Sequence, residues 1–308
     1  MKVMPFSTTR RPPGAADRRL RTLLAEARAG RRTLVMGVLN VTPDSFSDGG
    51  RFFTPHEALA QAERMVAEGA DILDIGGEST RPATFATGVP LDTDEELRRI
   101  LPIIRAVAER MPEVPISVDT YKAVVARQAV DAGATMVNDI SALRADPTMA
   151  ATVADLGVPV CLMHMPGLPT ALPVKPEYAD VVREVRDHLE ERAAAAVAAG
   201  IAPRNIVLDP GFGFGKTVAQ NLEILRRLRE LTTLCYPLLL GTSRKSTIGA
   251  VLGDSPPEDR REGTAATVAL SIANGAAILR VHDVKEMARV ARMADAIVRG
   301  WPPLGNIL

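Results

Sequence analysis

The sequence predicts an α/β protein, with a single domain built as a (β/α)8 TIM barrel. Two observations carry this prediction: apolar runs of strand length alternate eight times with helical stretches, and nearly every run ends in a short polar signature. Parallel strands of a barrel are covered on both faces, so they read as continuous apolar runs. Their carboxyl ends meet on the one face where barrel enzymes bind ligands. A length of 308 residues suits one barrel of about 250 residues with additions.

The predicted elements follow in order along the chain. Prolines and glycines punctuate them: Pro55 suits a first helical turn, and Gly69, Gly133 and Gly157 suit helix ends before strands. The strands are 33–40, 71–75, 114–118, 134–138, 158–163, 205–209, 238–241 and 277–281. The helices are 55–69, 94–110, 121–132, 147–156, 177–199, 217–231, 258–274 and 283–299. An open doubly wound sheet is the alternative for this order of elements.

Residues 1–32 differ in character from the barrel domain predicted over 33–308. They contain eight arginines and only two acidic residues. Leu20, Leu23 and Leu24 have the spacing of one helical face, which predicts a short amphipathic helix. We expect a capping helix with a loose tail; a targeting segment is the alternative.

Composition favours a small-molecule ligand. Lys plus Arg equals Asp plus Glu, at 37 each, so no net field attracts nucleic acid or an anionic membrane. Aromatic residues make up 4%, which argues against base-stacking surfaces. No apolar stretch approaches the ~20 residues of a membrane span. The two cysteines, Cys161 in a core strand and the isolated Cys235, form no metal or disulfide pattern, which indicates a reducing, cytoplasmic protein.

Asp119, Asn138 and Asp209 end the third, fourth and sixth predicted strands. Carboxylates in a barrel mouth are costly to desolvate unless they bind a partner. Two acids and an amide suit a flat heterocycle with several N–H donors, because a carboxylate accepts two parallel hydrogen bonds. The alternatives are a helix N-cap for Asp119 and a brace of the Pro-Gly turn for Asp209.

Arg280 and His282 end the eighth strand and alternate, so both side chains point to the same side. A permanent cation beside an imidazole suits an anion such as phosphate, and phosphate sites near strands seven and eight are frequent in this fold. The alternative is a structural arginine paired with an acid.

Other motifs carry weaker signals. Residues 211–217 end like a phosphate-binding Walker A loop, but Pro210 stands where its first glycine would be and has no N–H to donate. His164 could be buried or catalytic, and His56 and His188 are expected on helix surfaces. Segments 42–50 and 79–94 are long polar βα loops, which commonly form lids or binding loops.

The motifs together closely resemble the dihydropteroate synthases, enzymes of folate biosynthesis. The resemblance covers about residues 33–299 and is carried by NVTPDSFSDGG, DIGGESTRP, SVDTYK, NDI, LMHM, LDPGFGFGK, GTSRKS and RVHDV, in the family's order. It implies a transferase that joins 6-hydroxymethyl-7,8-dihydropterin diphosphate to 4-aminobenzoate, giving 7,8-dihydropteroate and diphosphate. It also implies Mg²⁺, a cytoplasmic homodimer formed through late helices, and a sulfonamide target.

The resemblance also assigns roles. It implies that the catalytic residues are Asp119, Asp209, Lys245, Arg280 and His282. The pterin contacts it implies are Asp119, Asn138, Asp209 and Lys245, and the diphosphate contacts are Asn40, Arg81, Arg280 and His282, with Asn40 also a Mg²⁺ ligand. The 4-aminobenzoate surroundings are Thr80, Pro82, Phe214 and Ser246, with Asp44 and Phe46 from the first loop; Met163 and Gly241 complete the substrate-binding set.

The aromatic amine is itself the nucleophile in such a reaction, so no Ser, Cys or Lys nucleophile is needed. We expect the diphosphate to leave before the amine attacks. After Arg81-Pro82 the chain reads ATFATGVPLDTD, longer than the family's usual loop, so its closure and inhibitor sensitivity stay open. The alternatives are a non-catalytic pterin-binding paralogue and a corrinoid-linked methyltetrahydrofolate methyltransferase; the latter has no use for the GTSRKS and RVHD sets.

Overall fold

The computed structural model describes residues 14–41, 55–78, 90–169 and 177–301, and these form the predicted barrel. The strands are β1 (Leu34–Asn40), β2 (Ile72–Gly76), β3 (Ile116–Asp119), β4 (Met136–Asp139), β5 (Val160–Met163), β6 (Ile206–Asp209), β7 (Leu239–Leu240) and β8 (Ile278–Val281). All paired strands are parallel, in the order β6-β5-β4-β3-β2-β1-β8-β7. A parallel bridge between Leu208 and Leu238 links β6 to the start of β7 and closes the ring. The open doubly wound alternative is therefore wrong.

Helices follow the strands and cover the barrel. They are α1 (Ala15–Arg28), α2 (Pro55–Glu68), α3 (Thr93–Arg110), α4 (Ala123–Ala132), α5 (Met149–Leu156), α6 (Val181–Ala198), α7 (Val218–Arg226), α8 (Ser246–Val251), α9 (Arg261–Ala273) and α10 (Val284–Arg299). Short 3₁₀ helices span Pro203–Asn205, Leu228–Leu234 and Pro257–Asp259. The predicted helix 217–231 is thus α7 followed by a 3₁₀ segment.

The strands alternate between two environments with the period of two that a β-strand imposes. Outward residues such as Leu73, Ile75 and Val118 pack with the helices in the largest apolar cluster. Inward residues such as Ile72 and Met136 form a second apolar layer inside the ring. The next inward position, two residues further along each strand, lies nearer the carboxyl end of the barrel. The polar signatures begin there.

Helix α1 closes the amino-terminal end of the barrel. Its buried face, which includes Leu20, Leu23 and Leu24, belongs to the same apolar cluster as the inward strand residues. The buried thiol of Cys161 lies in that cluster too. The expected capping helix is therefore present, and it shares the core of the barrel; the boundary predicted at residue 32 stays a prediction.

No helix among the described residues is long and apolar enough to cross a bilayer. The described cysteines, Cys161 and Cys235, are both free.

Candidate active site

Three of the predicted site residues lie at the carboxyl ends of strands β3, β4 and β6. Asp119 on β3 is in register with Asn138 on β4, and Asp209 on β6 is in register with Met163 on β5. Asp119, Asn138 and Asp209 are all buried. Each lies two residues beyond an inward residue of the strand, so their side chains line the mouth of the barrel.

Arg280 crosses the mouth and joins two of the strands that carry acids. Its Nε donates to Oδ2 of Asp74 at 2.6 Å, and its Nη2 donates to Oδ2 of Asp119 at 2.7 Å. Asn138 donates its Nδ2 to the same oxygen of Asp74 at 3.2 Å. The structure therefore contains the alternative arrangement, in which Arg280 is paired with acids. Asp119 is not the N-cap of a helix. A guanidinium has five N–H donors, so two acceptors still leave donors for an anion.

Asp74 is the site residue that the sequence interpretation missed. It is fully buried on β2, and its Oδ1 has no hydrogen-bond partner among the described residues. Ile72 and Asp74 share the inward side of β2, while Leu73 and Ile75 face the helices. The signal was an acid between the apolar residues of 72-ILDI-75, since an inward carboxylate needs a partner.

Burial dominates the electrostatics of this cluster. Removal of the carboxylate from water raises the pKa of Asp119 to about 7, against the opposing effect of the Arg280 cation. Burial likewise raises the pKa of Asp209, opposed by its hydrogen bond from the Gly211 N–H. Such carboxylates favour ligands that bring N–H donors or positive charge into the mouth.

Asp209 braces the turn that follows β6, as one alternative expected. Its Oδ1 accepts a 2.7 Å hydrogen bond from the Gly211 N–H. Gly211 has φ +66°, and a Cβ there would stand 1.9 Å from the His164 carbonyl oxygen. Only glycine therefore allows this loop to pack against the end of β5.

Lys216 satisfies the carbonyls of its own loop. Its ammonium donates to the carbonyl oxygens of Gly211 at 2.9 Å, Phe214 at 3.1 Å and His164 at 3.5 Å. Burial lowers its pKa to about 7. The glycines and Lys216 thus build a packed turn, which agrees with the exclusion of a Walker A loop.

Lys245 reaches the same turn from the loop after β7. Its Nζ donates to the Phe212 carbonyl oxygen and lies 4.1 Å from the centre of the Phe214 ring. Burial lowers the pKa of Lys245 to about 7, although the Asp209 carboxylate opposes the shift. The ammonium and Asp209 thus lie on the same side of the mouth.

An apolar cluster forms one wall of the mouth. Met163 and Phe214, both in the predicted site, pack there with Tyr121, Ile140 and Met165. A flat ring that hydrogen bonds to the acids through its edge needs such a wall for its face.

Three further predicted residues lie at the rim. Asn40 ends β1 in register with Gly76, Gly241 follows β7, and the exposed Ser246 begins α8. All three are on the carboxyl side of the barrel. The five remaining predicted residues, Asp44, Phe46, Thr80, Arg81 and Pro82, lie outside the described residues.

His282 is held by Ser243 from the neighbouring loop. The Ser243 hydroxyl accepts the His282 backbone N–H at 3.2 Å and lies 3.1 Å from Nδ1 of the ring. Its own proton can then be donated to Nδ1, which favours the tautomer with the hydrogen on Nε2. Burial, aided by the Arg280 cation, lowers the pKa of His282 to about 3. At neutral pH it is therefore an uncharged N–H donor.

The other histidines fall into two groups. His56 is exposed on α2, as expected. The expectation of a surface position for His188 is wrong: its ring packs edge-on against the buried His164, with centroids 4.8 Å apart. Burial lowers the pKa of His188 to about 4, with help from Arg144. Its position three residues after the buried Val185, on the inner face of α6, is the signal that was missed.

A charged cluster supports the chain beside the second predicted loop. Lys122 donates to Oε2 of Glu78 at 3.0 Å, to Oε2 of Glu96 at 2.6 Å and to the Leu91 carbonyl oxygen at 2.7 Å. The hydroxyl of Tyr121 donates to Glu78. The motif SVDTYK therefore fixes both chain segments that flank residues 79–89.

The arrangement can hold a flat, N–H-rich heterocycle at the acids and an anion beside Arg280 and His282.

Comparisons with known proteins agree with this interpretation of the site. Residues 36–282 match the family model described as "Pterin binding enzyme". The dihydropteroate synthase of Bacillus subtilis is 49% identical over 269 residues, which cover 87% of this chain and 89% of that protein.

Solved structures show the same similarity. The Xanthomonas albilineans dihydropteroate synthase with 4-aminobenzoic acid superposes with a TM-score of 0.80 at 48% identity, covering 86% of this chain and 93% of that one. The complex of the same enzyme with 7,8-dihydropteroate gives a TM-score of 0.77 at 47% identity, covering 86% and 94%.

Proposed function

The chain belongs to the pterin-binding enzyme family, and we infer from that membership and from its barrel mouth that it is a dihydropteroate synthase. It is a transferase of folate biosynthesis that condenses 6-hydroxymethyl-7,8-dihydropterin diphosphate with 4-aminobenzoate. The products are 7,8-dihydropteroate and diphosphate. The observation that carries this function is the meeting of Asp119, Asn138 and Asp209 with Arg280 in one mouth.

The acids form the pterin side of the proposed site. Asp119, Asn138 and Asp209 accept the N–H groups of the pterin edge and Lys245 donates to its acceptors, with the ring lying along Met163 and Phe214. Support comes from burial, since buried carboxylates need such donors, and from the apolar wall beside them. Asp74 joins this set as the residue that holds Arg280 and Asn138 in place.

Arg280 and His282 form the anion side. Arg280 retains donors beyond its two carboxylate contacts, and the neutral His282 presents Nε2–H to a diphosphate oxygen. Asn40 and Arg81 are the further diphosphate contacts of this proposal. These donors stabilise negative charge that grows as the bond to the leaving diphosphate breaks.

The carbon–oxygen bond to diphosphate breaks before the amine attacks, in our proposal. The pterin methylene then carries positive charge in a mouth lined by the carboxyl groups of Asp74, Asp119 and Asp209. The amine of 4-aminobenzoate forms the carbon–nitrogen bond and loses one proton. Rates that depend steeply on the basicity of substituted anilines would contradict this order.

A Mg²⁺ ion fits the donor chemistry of the site in one respect. The Asn40 side chain offers an amide oxygen on the carboxyl side of β1, and Mg²⁺ commonly binds few protein oxygens together with substrate phosphates and water. Among the described residues no cluster of three or more His, Cys, Asp or Glu forms a metal cage. A bound Mg²⁺ supplies charge neutralisation of the diphosphate; Asn40 would hold it.

The second substrate binds nearer the rim in this proposal. Phe214 and Ser246 contact the 4-aminobenzoate ring and carboxylate, with Thr80 and Pro82 from the second loop. Asp44, Phe46 and Gly241 complete the surroundings. The exposure of Ser246 at the start of α8 supports a position for this substrate outside the buried pterin set.

One assay tests the function. The purified protein is incubated with the pterin diphosphate and Mg²⁺, with and without 4-aminobenzoate, and diphosphate release is measured. We expect release that depends on 4-aminobenzoate, and a large loss of it in Asp209→Asn. Pterin binding without turnover would instead support the non-catalytic paralogue.

Activity should peak near neutral pH. Burial raises the pKa of Asp119 to about 7 and lowers that of Lys245 to about 7. Below this pH Asp119 is protonated and accepts fewer hydrogen bonds. Above this pH Lys245 loses its proton and with it its positive charge. We expect kcat/KM for the pterin diphosphate to fall on both sides, because this parameter reports the free enzyme.

Two variants separate the limbs of that profile. Asp119→Asn should flatten the acidic limb, and Lys245→Arg, which stays charged, should flatten the alkaline limb. Both are compared with wild type in the same buffers, so that titration of the substrate affects all three equally. A profile that keeps both limbs in both variants would contradict these assignments.

A homodimer through the late helices is part of the proposal. Three large apolar side chains on α9 and α10 are strongly exposed: Leu270 (58%), Met293 (64%) and Ile297 (72%). Exposed apolar surface of this kind favours association. Sedimentation should give a dimer, and Met293→Glu should shift it towards monomer.

We also place the protein in the cytoplasm. The support is chemical: the two described cysteines are free thiols, which a reducing compartment preserves. Fractionation of cells that express the chain tests this location.

A further inference from the structure

The loop after β7 has little backbone support. β7 has two residues, which pair with β8 through Leu239–Ile278 and Leu240–Leu279. Its link to β6 is the bridge at Leu238. Yet the segment that follows carries Lys245 and Ser246, two residues of the proposed site. Something other than the sheet must hold that segment.

Side chains continue the attachment beyond the strand ends. Ser243 and Arg244, which follow β7, lie against His282 and Asp283, which follow β8. Ser243 contacts both the backbone and the ring of His282. Arg244 binds Asp283 through two parallel hydrogen bonds, one from Nε to Oδ2 at 2.9 Å and one from Nη2 to Oδ1.

The backbone of Arg244 is also constrained. It has φ +58°, a left-handed conformation that is unfavourable for a side chain of this kind. Its N–H donates to Oγ1 of Thr264 at 3.2 Å, and its carbonyl oxygen accepts from Nη1 of Arg260 at 2.9 Å. A strained residue persists where its surroundings fix it, and such residues cluster at functional sites.

We propose that Arg244 and Asp283 are positioning residues, which hold the loop of Lys245 and Ser246 against the strand end that carries Arg280 and His282. The inference rests on the function proposed above and deepens it. Neither residue is assigned a substrate contact here: each carboxylate oxygen of Asp283 already accepts a hydrogen bond from Arg244. The planar, two-point geometry matters, because a two-point guanidinium–carboxylate pair fixes orientation as well as distance.

The expected consequence concerns affinity for the pterin diphosphate. Lys245 is assigned to its pterin part and His282 to its diphosphate. A loose Arg244–Asp283 pair would let these two groups move apart, and misplacement by about 1 Å can reduce rates by roughly a hundredfold. We therefore expect kcat/KM for the pterin diphosphate to fall roughly tenfold to a hundredfold, mainly through KM. KM for 4-aminobenzoate should change much less.

The experiment compares Asp283→Asn and Arg244→Lys with Arg261→Lys. Asp283→Asn removes the negative charge of the acceptor. Arg244→Lys keeps the positive charge but loses the planar guanidinium that donates two parallel hydrogen bonds. Arg261 is the matched control, because it is 51% exposed and its Nε lies 3.9 Å from Oδ1 of Asp283, beyond a hydrogen bond. KM and kcat are measured for both substrates, with binding of inorganic diphosphate and hydrogen exchange of residues 241–252.

In both test variants we expect faster hydrogen exchange over residues 241–252, weaker diphosphate binding and a raised KM for the pterin diphosphate. Arg261→Lys should give wild-type values in all three measurements. The double variant of Arg244 and Asp283 should be little worse than either single one, since the two share one interaction. Faster exchange with an unchanged KM would show a merely structural pair and overturn the proposal. Unchanged exchange and unchanged KM would overturn it as well.

Failure of the proposed function would look different. In that case wild type itself would release no diphosphate in response to 4-aminobenzoate. Inorganic diphosphate binding then decides the present inference alone: weaker binding in Asp283→Asn than in Arg261→Lys supports the positioning role, and equal binding overturns it.

Discussion

Replacement of Arg280 by methionine should destabilise the protein by about 3–5 kcal/mol at pH 8, because it leaves buried carboxylates without their cation. Asp74 is fully buried, and both it and Asp119 accept hydrogen bonds from this guanidinium. Arg280→Lys should fall between methionine and wild type, because an ammonium keeps the charge but lacks the two-armed geometry. Thermal unfolding measures both variants, and diphosphate release should be lost with methionine.

The loss in Arg280→Met should shrink as the pH falls. Without the cation the carboxyl pKa of Asp119 rises further, so at pH 5 this group is protonated and no longer adds an uncompensated charge to the folded state. Arg98→Met is the control, since its pair with Glu95 is a surface contact of a 74% exposed side chain, and we expect little change there. A variant of Arg280 as stable as wild type at pH 8 would contradict the pairing.

Gly211→Ala should be nearly as damaging, for steric rather than electrostatic reasons. The new Cβ would stand 1.9 Å from the backbone oxygen of His164, and φ is +66°. Either the end of β5 or the turn must move, and the turn carries the N–H that binds Asp209. We expect a loss of roughly a hundredfold in kcat/KM and a clear fall in the unfolding temperature.

Gly253→Ala is the matched control for this prediction. Gly253 has φ +74°, but a Cβ there meets nothing within 4 Å. It therefore reports the left-handed backbone alone, about 1–2 kcal/mol for a non-glycine residue, without a clash near the site. Equal effects of the two alanines on kcat/KM would show that the close approach to His164 is unimportant.

The strand ends were predictable because the alternation of a strand and the geometry of a barrel fix them together. Asp119, Asn138 and Asp209 were found from their positions at strand ends. The pairing of Arg280 with Asp74 was not, because it joins residues 206 positions apart and depends on ring closure. The sequence placed Arg280 beside an anion, and the structure adds that its guanidinium also joins Asp74 and Asp119.

The helix boundaries were also only partly predictable from the sequence. The predicted start at 177 moves to Val181 because Asp180 caps the helix through the N–H groups of Val182 and Arg183. Helix α8 was not predicted, since six residues are too few to show an apolar period. The roles assigned to Asp44, Phe46, Thr80, Arg81 and Pro82 stay predictions.

The helix beneath the barrel has a consequence for the order of events in turnover. Since α1 and the apolar layer close the amino-terminal end of the barrel that residues 14–41, 55–78, 90–169 and 177–301 form, we expect molecules to reach the buried acids from the carboxyl end. A ring seated against Asp209 then sits behind anything bound near Ser246. We therefore expect sequential, ordered steady-state kinetics in which the pterin diphosphate binds first. Excess 4-aminobenzoate should inhibit by blocking the entry of the pterin diphosphate.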